Sequence, residues 1–331
     1  FYVFQMIGGL IDTSRGDNTK TFSFKDYLLF FIFFPQLVAG PICRIKNLIP
    51  QFLVNRKLNK RNIFVGTNLI LIGLFKKICI ADNLHLFTDE VWSSPEQFSS
   101  STVRLALFAY YIQFYADFSG YTDIGRGIAR QLGIKIPINF TNPYFANNAV
   151  DFFKRWHISL SLWIRDYLFN PAYVFMLRKF NNHHKIIFLI LSFLTLFIFG
   201  IWHGNSPRII IYGLIWGWML LSWHLFIYRL HKFSTIGKIL SFIWTQGFFI
   251  FSLIFLKLYT FEEIGIFLNA LVSNGKGTSL DNFLLVFGSA LIIYIFQFLD
   301  SNYDKKIIFN IIRYSRNSII SFLISLILFF G

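Results

Sequence analysis

Long apolar runs dominate this chain, and they constrain its fold more than any motif does. Residues 186–202 are almost without polar side chains, and similar runs recur at 62–80, 102–118, 209–228, 239–259, 282–299 and 318–330. About 20 such residues in a helix match the hydrocarbon thickness of a bilayer, so roughly seven or eight membrane passages are expected. The 44 phenylalanines fall in runs without the alternation of a barrel strand. In lipid the backbone must satisfy its own hydrogen bonds, and without that alternation only helices can do so. With 55% hydrophobic and 14% charged residues there is too little polar surface to solvate a soluble domain. The expected fold class is all-α, a polytopic transmembrane helical bundle forming a single domain over residues 1–331.

The shorter segments have other expected roles. Residues 1–11 are too short to span and look like the end of a helix, so the sequence is expected to be an N-terminally truncated piece of a longer protein. Residues 12–25 are expected to form a polar loop. Residues 27–40 are apolar but interrupted by Pro35 and closed by Ala39-Gly40-Pro41, the pattern of a segment that enters the membrane without crossing it. Residues 82–101 are polar enough to be a connection. No inverted repeat of the transporter kind is evident.

The net charge of +15 does not imply nucleic-acid binding, because the basic residues lie between apolar runs and form no single stripe. Residues 41–61 contain Arg44, Lys46, Arg56, Lys57, Lys60 and Arg61 and no acid, which reads as a cytoplasmic loop facing anionic membrane lipids. Cys43 and Cys79 have neither disulfide nor metal-ligand spacing, and no metal site is expected. Gly125-Arg126-Gly127 follows no strand and is not a dinucleotide fingerprint.

A few ionisable residues remain to be explained. The run at 186–202 ends on His203, and an ionisable side chain at membrane depth marks a functional site unless it is a satisfied packing residue. Asp117 needs a partner, which Arg126 or Arg130 could supply beyond a turn at Ser119-Gly120-Tyr121. Residues 138–171 are polar and aromatic together. There Asp151 can pair with Arg155 four residues on. Phe152, Trp156, Leu160, Trp163 and Tyr167 make an apolar helical stripe, and His157, Ser161 and Arg165 make a polar one beside it. This fits a helix lying in the interface, or one packed around a wet cavity, better than a spanning one. His183 and His184 read as solvated loop residues. Gly213 and Gly217 have the spacing of close helix contact.

Several blocks, in order, resemble the membrane-bound O-acyltransferase (MBOAT) family, in particular its bacterial branch that modifies cell-envelope polymers. They are residues 33–42 (including Pro35, Gly40 and Pro41), Asp117-Phe118-Ser119-Gly120-Tyr121-Thr122-Asp123, Asn139-Phe140 with Asn142-Pro143-Tyr144, residues 153–161, Arg165-Asp166-Tyr167-Leu168, and Gly200-Ile201-Trp202-His203-Gly204. They span about residues 30–217, with further C-terminal transmembrane helices after them. The resemblance implies an MBOAT fold with re-entrant and interfacial helices around a tunnel where acyl donor and acceptor meet. It assigns His203 and His157 as catalytic. Arg155, Trp156, Ser161, Arg165, Asp166, Trp202 and Asn142 become substrate-binding residues, and Pro35, Gly40, Pro41, Asp117, Gly120, Asp123 and Gly204 structural ones.

The implied reaction is O-acetyl transfer from an acyl thioester, either acetyl-CoA or an acyl carrier protein, to an envelope polysaccharide or peptidoglycan. It would occur in the cytoplasmic (inner) membrane, with an extracytoplasmic acyltransferase as partner and no tightly bound cofactor. Two departures bear on the substrate. Asn170-Pro171-Ala172-Tyr173 stands where alginate-type members have Pro-Leu-Gly-Gly and is expected to lead into a short loop, and Trp216 stands where many have histidine. D-Alanyl transfer toward teichoic acid is therefore the nearest alternative. A proton-relaying transporter or channel and a non-catalytic assembly subunit are alternatives of another class.

Overall fold

The computed structural model describes residues 2–16, 22–37, 40–180, 183–204, 206–273, 277–279, 282–302 and 327. Helix is their regular secondary structure, joined by irregular stretches such as residues 53–59 and 134–142, with one isolated bridge between Phe98 and Thr278 and no strand among the described residues. In chain order the helices are α1 (Tyr2–Ser14), α2 (Phe24–Ile32), α3 (Ile45–Phe52), α4 (Lys60–Leu74), α5 (Asn83–Ser93), α6 (Ser100–Gln131), α7 (Ala149–Arg155), α8 (Ile158–Ile164), α9 (Asn170–Lys179), α10 (His184–Ile201), α11 (Pro207–Ser222), α12 (Tyr228–Phe233), α13 (Thr235–Lys257), α14 (Phe261–Val272) and α15 (Phe283–Asn302).

Four helices among the described residues are long and apolar enough to cross a membrane: Lys60–Ser93, His184–Ile201, Pro207–Phe233 and Thr235–Lys257. This is fewer than the seven or eight expected. Of the run at 318–330 only residue 327 is among the described residues, the apolar part of α15 (Phe283–Phe298) is shorter, and the long helix α6 carries Asp117, Asp123, Arg126 and Arg130. The expected connection at 82–101 is largely helix. A π-helical segment, Phe75–Asp82, joins α4 to α5 without a break. Polarity misleads here because α5 is amphipathic, burying Leu84, Phe87, Val91 and Trp92 while His85, Asp89 and Glu90 lie on its other face.

No turn occurs at Ser119-Gly120-Tyr121, since α6 runs through it. Glycine serves contact there. A Cβ on Gly120 would lie 2.7 Å from the Gly73 carbonyl oxygen, and one on Gly127 would lie 2.6 Å from that of Gly66, so α4 and α6 pack antiparallel backbone to backbone. The π segment turns consecutive lysines toward α6. Lys77 Nζ lies 2.7 Å from Asp117 and 2.8 Å from Asp82, and Lys76 Nζ lies 2.8 Å from Asp123, which Arg126 also reaches at 3.1 Å. Asp117 is thus partnered by Lys77, not by Arg126 or Arg130.

Residues 12–25 are not simply a loop, because α1 continues to Ser14 and α2 starts at Phe24 behind a Ser23/Asp26 capping box. The expectation for Pro35 fares better. The nine-residue α2 is too short to span and gives way to a 3-10 turn at Phe34–Gln36, where Gln36 Nε2 donates to the Phe30 carbonyl at 2.7 Å. The Pro35 carbonyl seats against Gly125 of α6, where a Cβ would approach it to 2.5 Å. Gly40 is equally tight, with no room for a Cβ beside the Gln36 backbone.

The helix after Asn170 is α9, in place of the expected short loop. It continues from α8 without a break through a π-helical turn, Arg165–Phe169, and Pro171 follows directly after that turn. The expected close contact at Gly213 and Gly217 is present between α10 and α11. A Cβ on Gly213 would lie 2.6 Å from the Phe197 carbonyl oxygen, and one on Gly200 would lie 2.1 Å from the Gly213 Cα.

Candidate active site

The segment from Ala149 to Ile164 is two short helices rather than one. Asn148 caps α7 by accepting from the Asp151 N–H at 2.9 Å, and Arg155 Nε donates to Asp151 at 2.8 Å, the pair expected from their spacing. At His157 the backbone swings to φ 43°, ψ 53° before α8 begins. Only one other described non-glycine residue has positive φ, Asn142 at 54°. Histidine and asparagine tolerate this left-handed region better than most residues but still carry strain there, and such strain collects at functional sites.

The surrounding hydrogen bonds fix that break. The Asn139 side-chain oxygen accepts from Ser159 Oγ at 2.6 Å and from the Ser159 N–H at 3.3 Å, while the Asn139 carbonyl accepts from the Ile158 N–H at 2.9 Å. Ser159 Oγ in turn accepts from the Ile42 N–H at 2.9 Å. Three distant stretches of chain therefore meet at Ser159 and hold His157 between α7 and α8. The imidazole is 2% exposed and stands edge-on to Phe118 at 4.9 Å.

The apolar stripe is as expected, with Phe152, Trp156, Leu160, Trp163 and Tyr167 all buried. Each helix buries this face within the protein, while Lys154, Leu162 and Arg165 on the other side are exposed. The polar stripe does not form. His157 is buried at the break, Ser161 Oγ donates back to the Trp156 carbonyl at 3.2 Å, and more than half of the Arg165 side chain is exposed. His157 is itself the left-handed residue before α8, so helical spacing does not set its direction relative to Ser161 and Arg165 of the helix that follows.

His203 sits where α10 turns toward α11. Its N–H donates to the Gly200 carbonyl at 3.1 Å and the Gly204 N–H to Ile201 at 3.0 Å, and Pro207 opens α11 three residues later. The ring is part-buried and stands edge-on to Trp202 at 4.9 Å, Tyr212 at 5.2 Å and Phe199 at 5.8 Å. Its Nε2 is enclosed and has no hydrogen-bond partner among the described residues. A buried nitrogen of this kind is costly to leave unsatisfied and is a natural place for a reacting hydroxyl.

Burial pushes His157 down to about 3, and the charge His203 would carry pushes in the same direction. Burial alone pushes His203 down to about 4. Both are neutral at physiological pH, and a neutral imidazole can accept a proton. Ring contacts connect the elements that carry the two histidines: Phe153 meets Phe199 at 6.2 Å and Trp216 at 5.3 Å, and Trp156 stacks on Phe152 at 5.7 Å.

Of the remaining expected site residues, the charged ones are engaged elsewhere. Arg155 is engaged by Asp151. Arg165 donates to Asp166 at 2.7 Å, and Arg44 also bonds Asp166. Burial pushes the Asp166 carboxyl up, but the hydrogen bonds from Arg165 and Arg44 outweigh it and hold the group below the usual carboxylate range. Trp202 lies next to His203 and stacks on Phe4 at 5.6 Å, and Asn142 begins the 3-10 turn Pro143–Phe145. Sequence reasoning gives no individual role to Asn139, Ser159 or Tyr212. Asn139 and Ser159 are visible only as members of polar-aromatic blocks, and Tyr212 resembles any other tyrosine in an apolar helix.

Because His157 occupies the left-handed region, glycine and alanine should behave differently there. His157→Gly is expected to be more stable than His157→Ala by about 1 kcal/mol, a difference that thermal unfolding in detergent would read. Equal melting points would mean that the positive φ is not retained.

The family model for MBOAT, the membrane-bound O-acyltransferase family, matches residues 12–264. The chain is 38% identical over 243 residues to the peptidoglycan O-acetyltransferase of Helicobacter pylori, covering 72% of this chain and 45% of that protein. It is 36% identical over 224 residues to "Probable alginate O-acetylase AlgI" of Pseudomonas putida, covering 68% and 43%. It is 31% identical over 205 residues to the teichoic acid D-alanyltransferase of Bacillus subtilis, covering 60% and 51%. The chain thus spans about half or less of the length of the curated relatives it matches.

Proposed function

The chain belongs to the membrane-bound O-acyltransferase family, and on that premise we propose that it carries the acyl-transfer centre of an integral-membrane O-acetyltransferase of the cytoplasmic membrane. The donor is a thioester, acetyl-CoA or an acyl carrier protein, and the acceptor is a hydroxyl of an envelope polysaccharide or peptidoglycan, finished by an extracytoplasmic acyltransferase partner. The observation that carries this reading is the enclosed, unpartnered Nε2 of a neutral His203 within the electrostatic reach of His157.

In the proposed reaction His203 Nε2 takes the proton of the acceptor hydroxyl as its oxygen attacks the thioester carbonyl. The new C–O bond forms, the C–S bond breaks, and the proton passes to the departing thiolate. General-base assistance of this kind contributes about 10²–10⁴-fold. His157 must stay neutral while His203 carries the proton, since two buried imidazolium ions would repel each other. With its pinned backbone it orients the reacting groups or donates to the developing oxyanion.

D-Alanyl transfer is the second reading, favoured by the similarity to the B. subtilis protein. Full-length protein in proteoliposomes, offered acetyl and D-alanyl thioesters carrying a radiolabel, separates the two. Faster acetyl ester formation is expected, faster alanyl transfer would favour the second reading, and solute flux without ester would indicate a transporter. Because burial holds the His203 imidazole low, turnover should be flat from neutral pH down to about pH 5 and fall below about pH 4 as the base protonates. A loss centred near the ordinary histidine range would place the base elsewhere.

A further inference from the structure

A cleft of about 540 Å³ opens beside the end of α1 and the first turns of α9, and neither His157 nor His203 lines it. Arg15, Arg44 and Arg178 face it together with Asp12 and Asp166. Counting Arg165, which is bonded to Asp166, four guanidinium groups stand against two carboxyl groups. The Tyr167 ring supports two of the cations, with the Arg44 guanidinium carbon 5.2 Å and that of Arg15 5.7 Å from its centroid. Arg44 is held by Asp166, whereas Arg15 and Arg178 are exposed and have no carboxylate partner among the described residues.

Two features point to a ligand and to its class. Asp12 is 2% exposed, and its Oδ1 accepts from the Tyr167 hydroxyl at 2.6 Å. Asp12 lines the cleft, and its Oδ2 is enclosed with no hydrogen-bond partner among the described residues. A buried acceptor of this kind calls for a donor from a bound molecule. The other feature is apolar. α9 buries none of its residues, and Val174 and Phe175 on the cleft wall are 48% and 66% exposed. Polar and greasy surfaces thus adjoin at one mouth, beside a basic cluster of the kind that holds phosphorylated headgroups at a membrane.

We infer that this cleft seats a glycerophospholipid headgroup, with the phosphodiester between Arg15, Arg44 and Arg178, a headgroup hydroxyl or ammonium donating to Asp12, and an acyl chain along Val174 and Phe175. The guanidinium fork suits phosphate oxygens better than a point charge does. A soluble phosphate ester shares the polar chemistry, but it would leave the apolar wall uncovered. The site is independent of the proposed acyl transfer and stands or falls without it.

The test uses the full-length protein in neutral detergent, with binding followed by thermophoresis. The probes are dihexanoyl phosphatidylglycerol, dihexanoyl phosphatidylethanolamine, dihexanoyl phosphatidate, dihexanoylglycerol and glycerol 3-phosphate. The first two should bind in a saturable way, with dihexanoylglycerol and glycerol 3-phosphate weaker by about tenfold or more. The double variant Arg15→Gln/Arg178→Gln changes only exposed side chains and should lower phosphatidylglycerol affinity by about tenfold with an unchanged melting point. Asp12→Asn should weaken phosphatidylethanolamine but not phosphatidate, which has no headgroup donor. Unchanged affinity in the double variant, or equal binding of dihexanoylglycerol, would overturn the site. Equal binding of glycerol 3-phosphate and phosphatidylglycerol would overturn the lipid assignment in favour of a soluble ester.

Discussion

Replacing His203 with alanine is expected to reduce acyl transfer by about 10²–10⁴-fold, the usual contribution of a positioned general base. The side chain is part-buried at a helix turn, makes only edge contacts with Phe199, Trp202 and Tyr212, and has no side-chain hydrogen bond among the described residues that its removal would break. Folding should therefore survive, and the loss should fall on kcat with donor KM little changed. Reconstituted protein of unchanged monodispersity and melting point is the material to assay. If His157 and His203 act as a unit, the double alanine variant should be about as slow as the slower single variant. Turnover near that of the unsubstituted protein would remove His203 from the reaction.

The second large effect is structural. Gly200→Ala should cost several kcal/mol, beyond the about 1–3 kcal/mol of ordinary overpacking. The new methyl would lie 2.1 Å from the Gly213 Cα and 2.6 Å from its nitrogen, and backbone cannot move aside as a flexible side chain can. The outcome to look for is loss of monodisperse protein on size exclusion, with activity lost alongside it, because α10 and α11 flank the turn that holds His203. Gly204→Ala is the control. Its Cβ would meet only an Ile209 side-chain carbon at 3.5 Å, an ordinary contact, and the protein should fold. A well-folded Gly200→Ala protein would mean that the two helices are not packed this closely.

Much of this architecture can be read from residues alone, for identifiable reasons. Apolar runs such as residues 186–202 announce spanning helices because lipid admits few other solutions. Pro35 announces a broken entry, and the Asp151–Arg155 pair is set by helical spacing. Polarity is a poorer guide to loops: α5 is amphipathic, and Gly120 lies inside α6 because two backbones need to touch there, a requirement no local pattern encodes. The partner of Asp117 is hidden for a similar reason, as the π segment at Phe75–Asp82 redirects Lys77. Near the candidate site, the family blocks bring His157 and His203 forward together. The left-handed backbone at His157 and the bonds from Asn139 and Ile42 to Ser159 join residues far apart in the chain, and periodicity cannot reveal them.

That meeting of three chain stretches at Ser159 has an evolutionary consequence. A single hydroxyl there serves one neighbour as donor and another as acceptor, so the three stretches cannot drift independently. Exchange of Asn139 or Ser159 alone would leave a buried group unmatched, whereas a joint exchange could restore the match. Lineages that recruit this scaffold to new acceptors are therefore expected to vary the outer helices freely and to change the knot beneath His157 only by coupled substitutions.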